Sequence, residues 1–250
     1  MPSLLPLKKL SEEPYASIMC YPKSSTAELN RRLKELQRLG VKYIEFCGDK
    51  QVFNLHVLGK GCVGIVAVAY VKGKKVALKI RRVDADRYRM QHEAALLRKA
   101  NSVSVGPKLL AVSRNFLAMQ FVDGYLLPEW LGKYQGKEKT RRTLRSVLEQ
   151  CWRLDKAGLD HGELSHAPKH VIVDRVAEPF IVDFEAASVK RRPSNVTSIC
   201  QFLFMSSETA KKVNEKLGAR DWKAIVATLR RYKTNRSNEN FMRILEVCGL

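Results

Sequence analysis

Three glycines, a valine and a lysine recur at spacings that suit a grip on nucleotide phosphates. Leu58-Gly59-Lys60-Gly61-Cys62-Val63-Gly64-Ile65-Val66 reads G-x-G-x-x-G-x-V, and Val76-Ala77-Leu78-Lys79-Ile80 follows as an apolar strand carrying one cation. Gly59, Gly61 and Gly64 let a hairpin tip approach phosphate oxygens with no Cβ in the way, and Val66 begins the return strand as a lid over an adenine. Lys79 supplies the charge. The same glycine letters occur in Rossmann turns, but there they must open a helix. Here Gly64 leads into Ile65-Val66-Ala67-Val68-Ala69-Tyr70-Val71, which is β-branched and apolar, and Lys72-Gly73-Lys74 turns the chain into the Lys79 strand.

Strand, glycine turn, strand, turn, lysine strand is a kinase-type order. Phosphoryl transfer needs a phosphate-holding cation, a metal-holding carboxylate and a group that orients the attacking hydroxyl. Glu93 is the expected partner of Lys79, because it lies mid-helix among Met90, Ala94 and Leu97, where a lone carboxylate is costly. A solvent-facing Glu93 is the alternative. Pro179-Phe180-Ile181-Val182-Asp183-Phe184-Glu185 is an apolar strand ending in an acid, and it resembles the D-F-G motif with Glu185 where glycine is usual. Asp183 is accordingly expected to bind magnesium. Upstream, His161-Gly162-Glu163-Leu164-Ser165 resembles the H-G-D-L-S loop of small atypical kinases. Three of the five histidines crowd His161 to His170, yet neither H-E-x-x-H nor a P-C-x-x-C segment accompanies them, so zinc chemistry is disfavoured.

The elements that must position these groups can be read along the chain. Residues 1–50 read as a separate small α/β unit with a strand at Tyr15 to Tyr21, a helix from about Ser25 to Leu39 and a strand at Val41 to Phe46. Ser25 and Glu28 form a capping box, Leu29, Leu33, Leu36 and Leu39 repeat at helical spacing, and Gly40 stops the helix. Arg31, Arg32, Lys34 and Arg38 are read as its polar side, either solvated or facing RNA. Gly48-Asp49-Lys50 turns directly into Val52 to Leu58, which leaves no flexible linker before residues 51–122. A helix is expected from Asp84 to about Lys99, and paired strands at Pro107 to Val112 and Phe116 to Phe121. Met119-Gln120-Phe121-Val122-Asp123-Gly124 fits a hinge, with Met119 and Phe121 beside the cofactor. From residue 123 to 250 the pattern is mainly helical, with helices near 140–157, 195–205, 207–217, 221–233 and 238–248.

The 250 residues suffice for a real core, and 45% of them are hydrophobic, so the chain is not disordered. No stretch approaches the roughly 20 apolar residues of a membrane span, and the amino terminus lacks a basic n-region and a cleavage site. A soluble cytoplasmic protein with no membrane partner is expected. Cys20, Cys47, Cys62, Cys151, Cys200 and Cys248 form no C-x-x-C pair, which suggests neither a zinc ribbon nor a compact disulfide framework. Forty-five Lys and Arg against 25 Asp and Glu give a formal charge of +20, more than solubility needs, and imply a polyanionic partner larger than ATP. Nucleic acid is the better guess than a merely basic surface.

Together, residues 52–200 resemble the eukaryotic-like protein kinase superfamily, and within it the small atypical branch of RIO and Bud32 kinases. The resemblance is greatest to archaeal predicted serine/threonine kinases, a group that includes a tRNA kinase acting on a ribose 2′-hydroxyl in the variable region. It implies an α+β fold of two lobes, β-rich then helical, with ATP and Mg²⁺ as cofactors. It also implies that Glu163 stands where an aspartate base is usual, with Asp160 able to share or take that role. The metal-binding asparagine expected five residues later is replaced by Pro168, and Lys169 or His170 is left to occupy its place. His161 becomes a packing and hydrogen-bonding residue. The few residues between Asp183 and Lys190-Arg191-Arg192-Pro193 are too short for a peptide-docking activation loop. Lys190, Arg191 and Arg192, with Arg141, Arg142, Arg145, Arg230 and Arg231, would grip phosphates of a tRNA or other structured RNA. The alternatives are a protein kinase or Bud32-like ATPase within a tRNA-modification complex, and a non-catalytic kinase-like RNA-binding protein.

Overall fold

A computed structural model describes residues 4–86, 88–133, 136–205 and 208–250. Two compact units emerge, Met1–Arg98 with Lys108–Phe121, and Lys99–Pro107 with Val122–Leu250. The architecture is α+β, with antiparallel sheet dominating the first unit and helices the second.

The first unit contains β1 (Leu5–Pro6), β2 (Val41–Glu45), β3 (Lys50–Val52), β4 (Leu55–Val57), β5 (Gly59–Lys60), β6 (Gly64–Val71), β7 (Lys74–Arg81), β8 (Leu109–Val112) and β9 (Phe116–Gln120). Seven of these make one sheet in the order β1-β2-β6-β7-β9-β8, with β5 pairing on β6, while β3 and β4 form a hairpin of their own. The unit's helices are α1 (Tyr15–Met19), α2 (Thr26–Arg38) and α3 (Arg89–Ser102), whose last four residues belong to the second unit.

Period-two alternation decides what each face of the sheet carries. On β7 and β9, Val76, Leu78, Ile80, Phe116 and Ala118 enter the core beside α1 and α2, with Leu36, Ile44 and Met19. The intervening Leu117 and Met119 pack on the opposite face with Val63, Met90 and Ala94. Lys79 is flanked by two core residues and so points to that opposite face, where α3 lies.

Residues 1–50 do not stand as a separate unit. β2 pairs antiparallel with β6, so this segment extends the same sheet and shares its core. Tyr15 to Tyr21, expected as a strand, is the helix α1 followed by a turn. A run that is apolar but for Ser17 shows neither period clearly, and here Ala16, Ile18, Met19 and Cys20 are all buried. Half of the capping box is in place at α2: the Glu28 amide donates to Ser25 Oγ at 3.3 Å, while the Glu28 carboxylate accepts from Arg31 and Arg32. Helix α3 starts at Arg89 rather than Asp84, because Arg82 holds the Asp84 carboxylate in a turn at 2.9 and 2.7 Å. Arg87, within the expected helix, lies outside the described residues.

The second unit has a three-stranded sheet of β10 (Gly124–Leu126), β11 (Val171–Asp174) and β12 (Pro179–Ile181). Its helices are α4 (Leu127–Lys133), α5 (Lys137–Lys156), α6 (Asn195–Phe204), α7 (Glu208–Leu217), α8 (Trp222–Thr234) and α9 (Asn238–Val247). Ser207, the expected start of α7, lies outside the described residues. Helix α5 buries Leu144, Val147, Leu148, Cys151 and Leu154, a stripe at helical spacing. Below it, the Asp155 carboxylate accepts from Asn195 N and Nδ2, Val196 N and the Tyr232 hydroxyl, tying α5 to α6 and α8.

Candidate active site

The glycine segment forms a hairpin tip. β5 and β6 pair with Gly59 opposite Val66 and Lys60 opposite Ile65, and the Gly61 amide closes the turn on the Gly64 carbonyl at 2.8 Å. Gly64 has a packing reason, since a Cβ there would lie 2.8 Å from the Ile80 carbonyl oxygen. Gly61 has none, because its Cβ would meet only the Gly64 carbonyl oxygen at 3.7 Å. Close approach of a ligand to the backbone is the reason left for glycine there.

Val66 lies opposite Lys79 in the β6–β7 ladder. Lys79 Nζ donates to Glu93 Oε2 at 2.8 Å, with the two residues only 5% and 4% exposed. Glu93 therefore does not face solvent. The cation is held at a set position on the α3 face of the sheet, as a phosphate anchor requires. Met119 is half-buried on that face, and Phe121 carries the Lys75 ammonium over its ring at 4.5 Å.

In the second unit the 160–170 loop and the end of β12 converge. The Val182 amide donates to the His170 carbonyl at 2.9 Å, and His161 Nε2 donates to the Val182 carbonyl at 3.0 Å. These bonds fix Asp183, whose φ of 68° is left-handed, an uncommon conformation that Asp tolerates better than most residues. Ligand atoms of Glu163, His170 and Asp183 lie within 4.8 Å of one another. His170 is 1% exposed, with Nε2 3.5 Å from Glu163 Oε2. Burial pulls the His170 imidazole below its usual pKa against the opposing charges of Asp183 and Glu163. The same cause takes His161 down to about 4, so it is neutral.

Two carboxylates with an imidazole fit a divalent cation. Asp183 and Glu163 are the hard oxygen donors Mg²⁺ takes, and His170 adds a nitrogen that Mn²⁺ accepts more readily. Of the two residues left to replace the asparagine, the structure brings His170 into the cluster, while Lys169 is exposed.

Residues 68–199, more than half of the chain, match the RIO domain family model. The chain belongs to the RIO family. RIO domains are atypical kinases or ATPases that generally use ATP and Mg²⁺. The chain is also similar to an uncharacterized protein of Methanocaldococcus jannaschii, 27% identical over 117 residues that make up 46% of this chain and 98% of the relative.

Within this RIO-family chain several expected residues serve the fold instead. Asp160 is 5% exposed, and both its oxygens are engaged: Arg191 Nε donates to Oδ2 at 2.8 Å, and Ser194 N and Oγ donate to Oδ1 at 3.0 and 3.2 Å. It anchors the 188–194 segment and is not poised as a base. Arg191 is correspondingly committed, donating also to the Ala186 carbonyl at 2.6 Å.

Arg32, expected on an RNA-facing side, is fully buried. It donates to Glu28 Oε1, the Met19 and Arg81 carbonyls and Asn115 Oδ1, bracing α2 against the sheet. Its spacing from Leu29 and Leu36 places it on the apolar face, a signal already present in the sequence. Arg31 is exposed and pairs with Glu28, and Arg38 is exposed on the same helix. Arg141 donates to the Gly249 carbonyl and to Glu138, and Arg142 lies 3.8 Å from Glu138. Lys190, Arg230 and Arg231 are exposed, and Arg192, also exposed, donates to the Lys233 carbonyl. No helix among the described residues is long and apolar enough to cross a membrane.

Proposed function

We propose that this RIO-family chain transfers the γ-phosphate of ATP to RNA, at a ribose 2′-hydroxyl in the variable region of tRNA. The observation that carries the choice of RNA is the formal charge of +20, which far exceeds what ATP or solubility asks for. Lys79, oriented by Glu93, holds the α- and β-phosphates under the glycine hairpin. Asp183 and His170 would hold Mg²⁺, with Glu163 beside them. Bound there, Mg²⁺ would supply positive charge against that developing on the transferred phosphoryl group. Glu163 orients the ribose hydroxyl and takes its proton, a role Asp160 cannot fill while Arg191 and Ser194 occupy it.

The test supplies γ-labelled ATP, Mg²⁺, unmodified tRNA and total protein, and sorts the products by nuclease and protease sensitivity. Label released in oligonucleotides supports the reading and allows the site to be mapped. Label on protein alone, or ATP hydrolysis without labelled RNA, moves the assignment to a protein kinase or ATPase of a tRNA-modification complex.

A further inference from the structure

In the second unit, the segment before α6 and the C-terminal end of α8 border a concave surface that lacks acids. A cavity of about 290 Å³ is lined by Arg192, Ser194, Thr197, Lys233 and Arg236, among others. A second, of about 260 Å³, shares Ser194, Thr197 and Lys233 and adds Ser198 and Arg230. The shared lining makes them one groove along α6 and α8, and among the described residues no carboxylate lines either part. Elsewhere on the helices, arginines sit against carboxylates one turn away, as in Arg31–Glu28, Arg145–Glu149 and Arg243–Glu239.

Two cations of the groove are held in place. Arg192 Nη2 donates to the Lys233 carbonyl and Arg236 Nη2 to the Pro193 carbonyl, so the 190–194 segment and the end of α8 grip one another. Each guanidinium has five N–H donors, and one such bond leaves the others for a ligand. The neighbouring acids are already occupied: Asp160 by Ser194 and Arg191, and Asp155 by Tyr232 and the first amides of α6.

We propose that this groove binds the sugar–phosphate backbone of the RNA, seating consecutive phosphates of one strand. The proposal rests on the reading of the chain as an RNA kinase. Fixed guanidinium forks match phosphate oxygens, and the hydroxyls of Ser194, Thr197 and Ser198 add neutral donors. Among the described residues of the lining the one aromatic, Tyr232, is buried with its hydroxyl on Asp155, so none of them offers an exposed ring for base stacking. Recognition here is of backbone, not of sequence.

The experiment measures tRNA affinity against salt, alongside phosphate transfer, for the parent, Lys233→Glu and Arg243→Glu. Lys233 is the variant of choice because its ammonium makes no bond to any described residue, and melting curves check the fold. Arg243→Glu makes the same charge change on α9. Lys233→Glu is expected to weaken binding at least about tenfold and flatten the salt slope by about 1, with Arg243→Glu changing affinity less than about twofold. Equal effects of the two variants, or none, overturn the groove while leaving RNA kinase activity to stand on its own assay. Groove-dependent binding without transfer to RNA overturns the functional reading and keeps the groove. A parent protein that binds no tRNA overturns both.

Discussion

Lys79 and Glu93, 14 residues apart, meet at 2.8 Å in a pair almost closed to solvent. Removing one partner strands the other charge in a buried site, at a penalty of about 3–5 kcal/mol. Glu93→Gln is expected to weaken ATP binding at least about tenfold and lower the melting temperature, and Lys79→Met to abolish phosphate transfer. Nucleotide titration beside a melting curve checks both. Unchanged ATP affinity in Glu93→Gln would show that the carboxylate does not orient the lysine.

The glycine hairpin predicts two separable outcomes. Gly64→Ala forces a Cβ to within 2.8 Å of the Ile80 carbonyl oxygen and 3.1 Å of Lys79 Cγ. It is expected to destabilise the protein by about 1–3 kcal/mol. Gly61→Ala meets nothing closer than 3.7 Å and is expected to alter stability by less than about 0.5 kcal/mol while weakening ATP binding. Denaturant titrations read the first and nucleotide titrations the second. Full ATP affinity in Gly61→Ala would mean that no phosphate approaches that backbone.

In the proposed metal site, His170 would offer an imidazole nitrogen where the family pattern has an amide oxygen. The parent is therefore expected to bind Mn²⁺ more tightly than Mg²⁺ by a wider margin than His170→Asn does, and Asp183→Asn to bind neither well. Calorimetric titration of each cation, with nitrogen hyperfine coupling in the Mn²⁺ spectrum, tests the ligand directly. Coupling that persists in His170→Asn would remove His170 from the metal site.

Glu163 and Asp160 separate by their partners. Glu163→Gln is expected to lower kcat by about 10²–10⁴-fold with the fold intact, as for loss of a positioned base. Asp160→Asn leaves the Arg191 guanidinium without its carboxylate and is expected to show first as a lower melting temperature. Comparing kcat against pH in the two variants decides between them. A pH profile shifted by Asp160→Asn alone would return the base to that residue.

Arg32 couples stability to pH through Glu28. Burial alone would raise the Glu28 pKa, but the hydrogen bonds from Arg32 and Arg31 outweigh it and hold it below the usual value. The folded state therefore binds fewer protons than the unfolded state, and the stabilisation present above the ordinary Glu pKa is lost as pH falls through the depressed one. The parent is expected to lose more melting temperature between pH 6 and about pH 4 than Glu28→Gln does. Parallel curves for the two would show that Glu28 carries no pH-linked stability. Arg32→Met at pH 7 is expected to be destabilising by about 3 kcal/mol, because it removes the partner of Glu28 Oε1, leaving that carboxylate only Arg31, and takes a donor from two buried carbonyls.

Local pattern alone determined much of this protein. The alternation of Val76, Leu78 and Ile80 about Lys79 already assigns the cation to the face away from the core, because a strand's side chains have period two. Ser25 and Glu28 specify a helix start through a hydrogen bond from the Glu28 amide to the Ser25 hydroxyl three residues earlier. The glycine spacing and the acid closing an apolar strand needed no tertiary information. Tertiary structure alone decided the rest. Tyr15 to Met19 became helix because a mostly apolar run satisfies either backbone, and packing against the sheet made the choice. The spacing of Arg32 from Leu29 and Leu36 already set it on the apolar face, but its partners came only with the fold, where Met19, Arg81 and Asn115, brought in from three other stretches of the chain, surround it with oxygens. Asp160 and Arg191 are 31 residues apart, and their pairing removed the acid as a base candidate. Such outcomes depend on which groups the fold brings together from distant parts of the chain, and residue type at a position does not encode them.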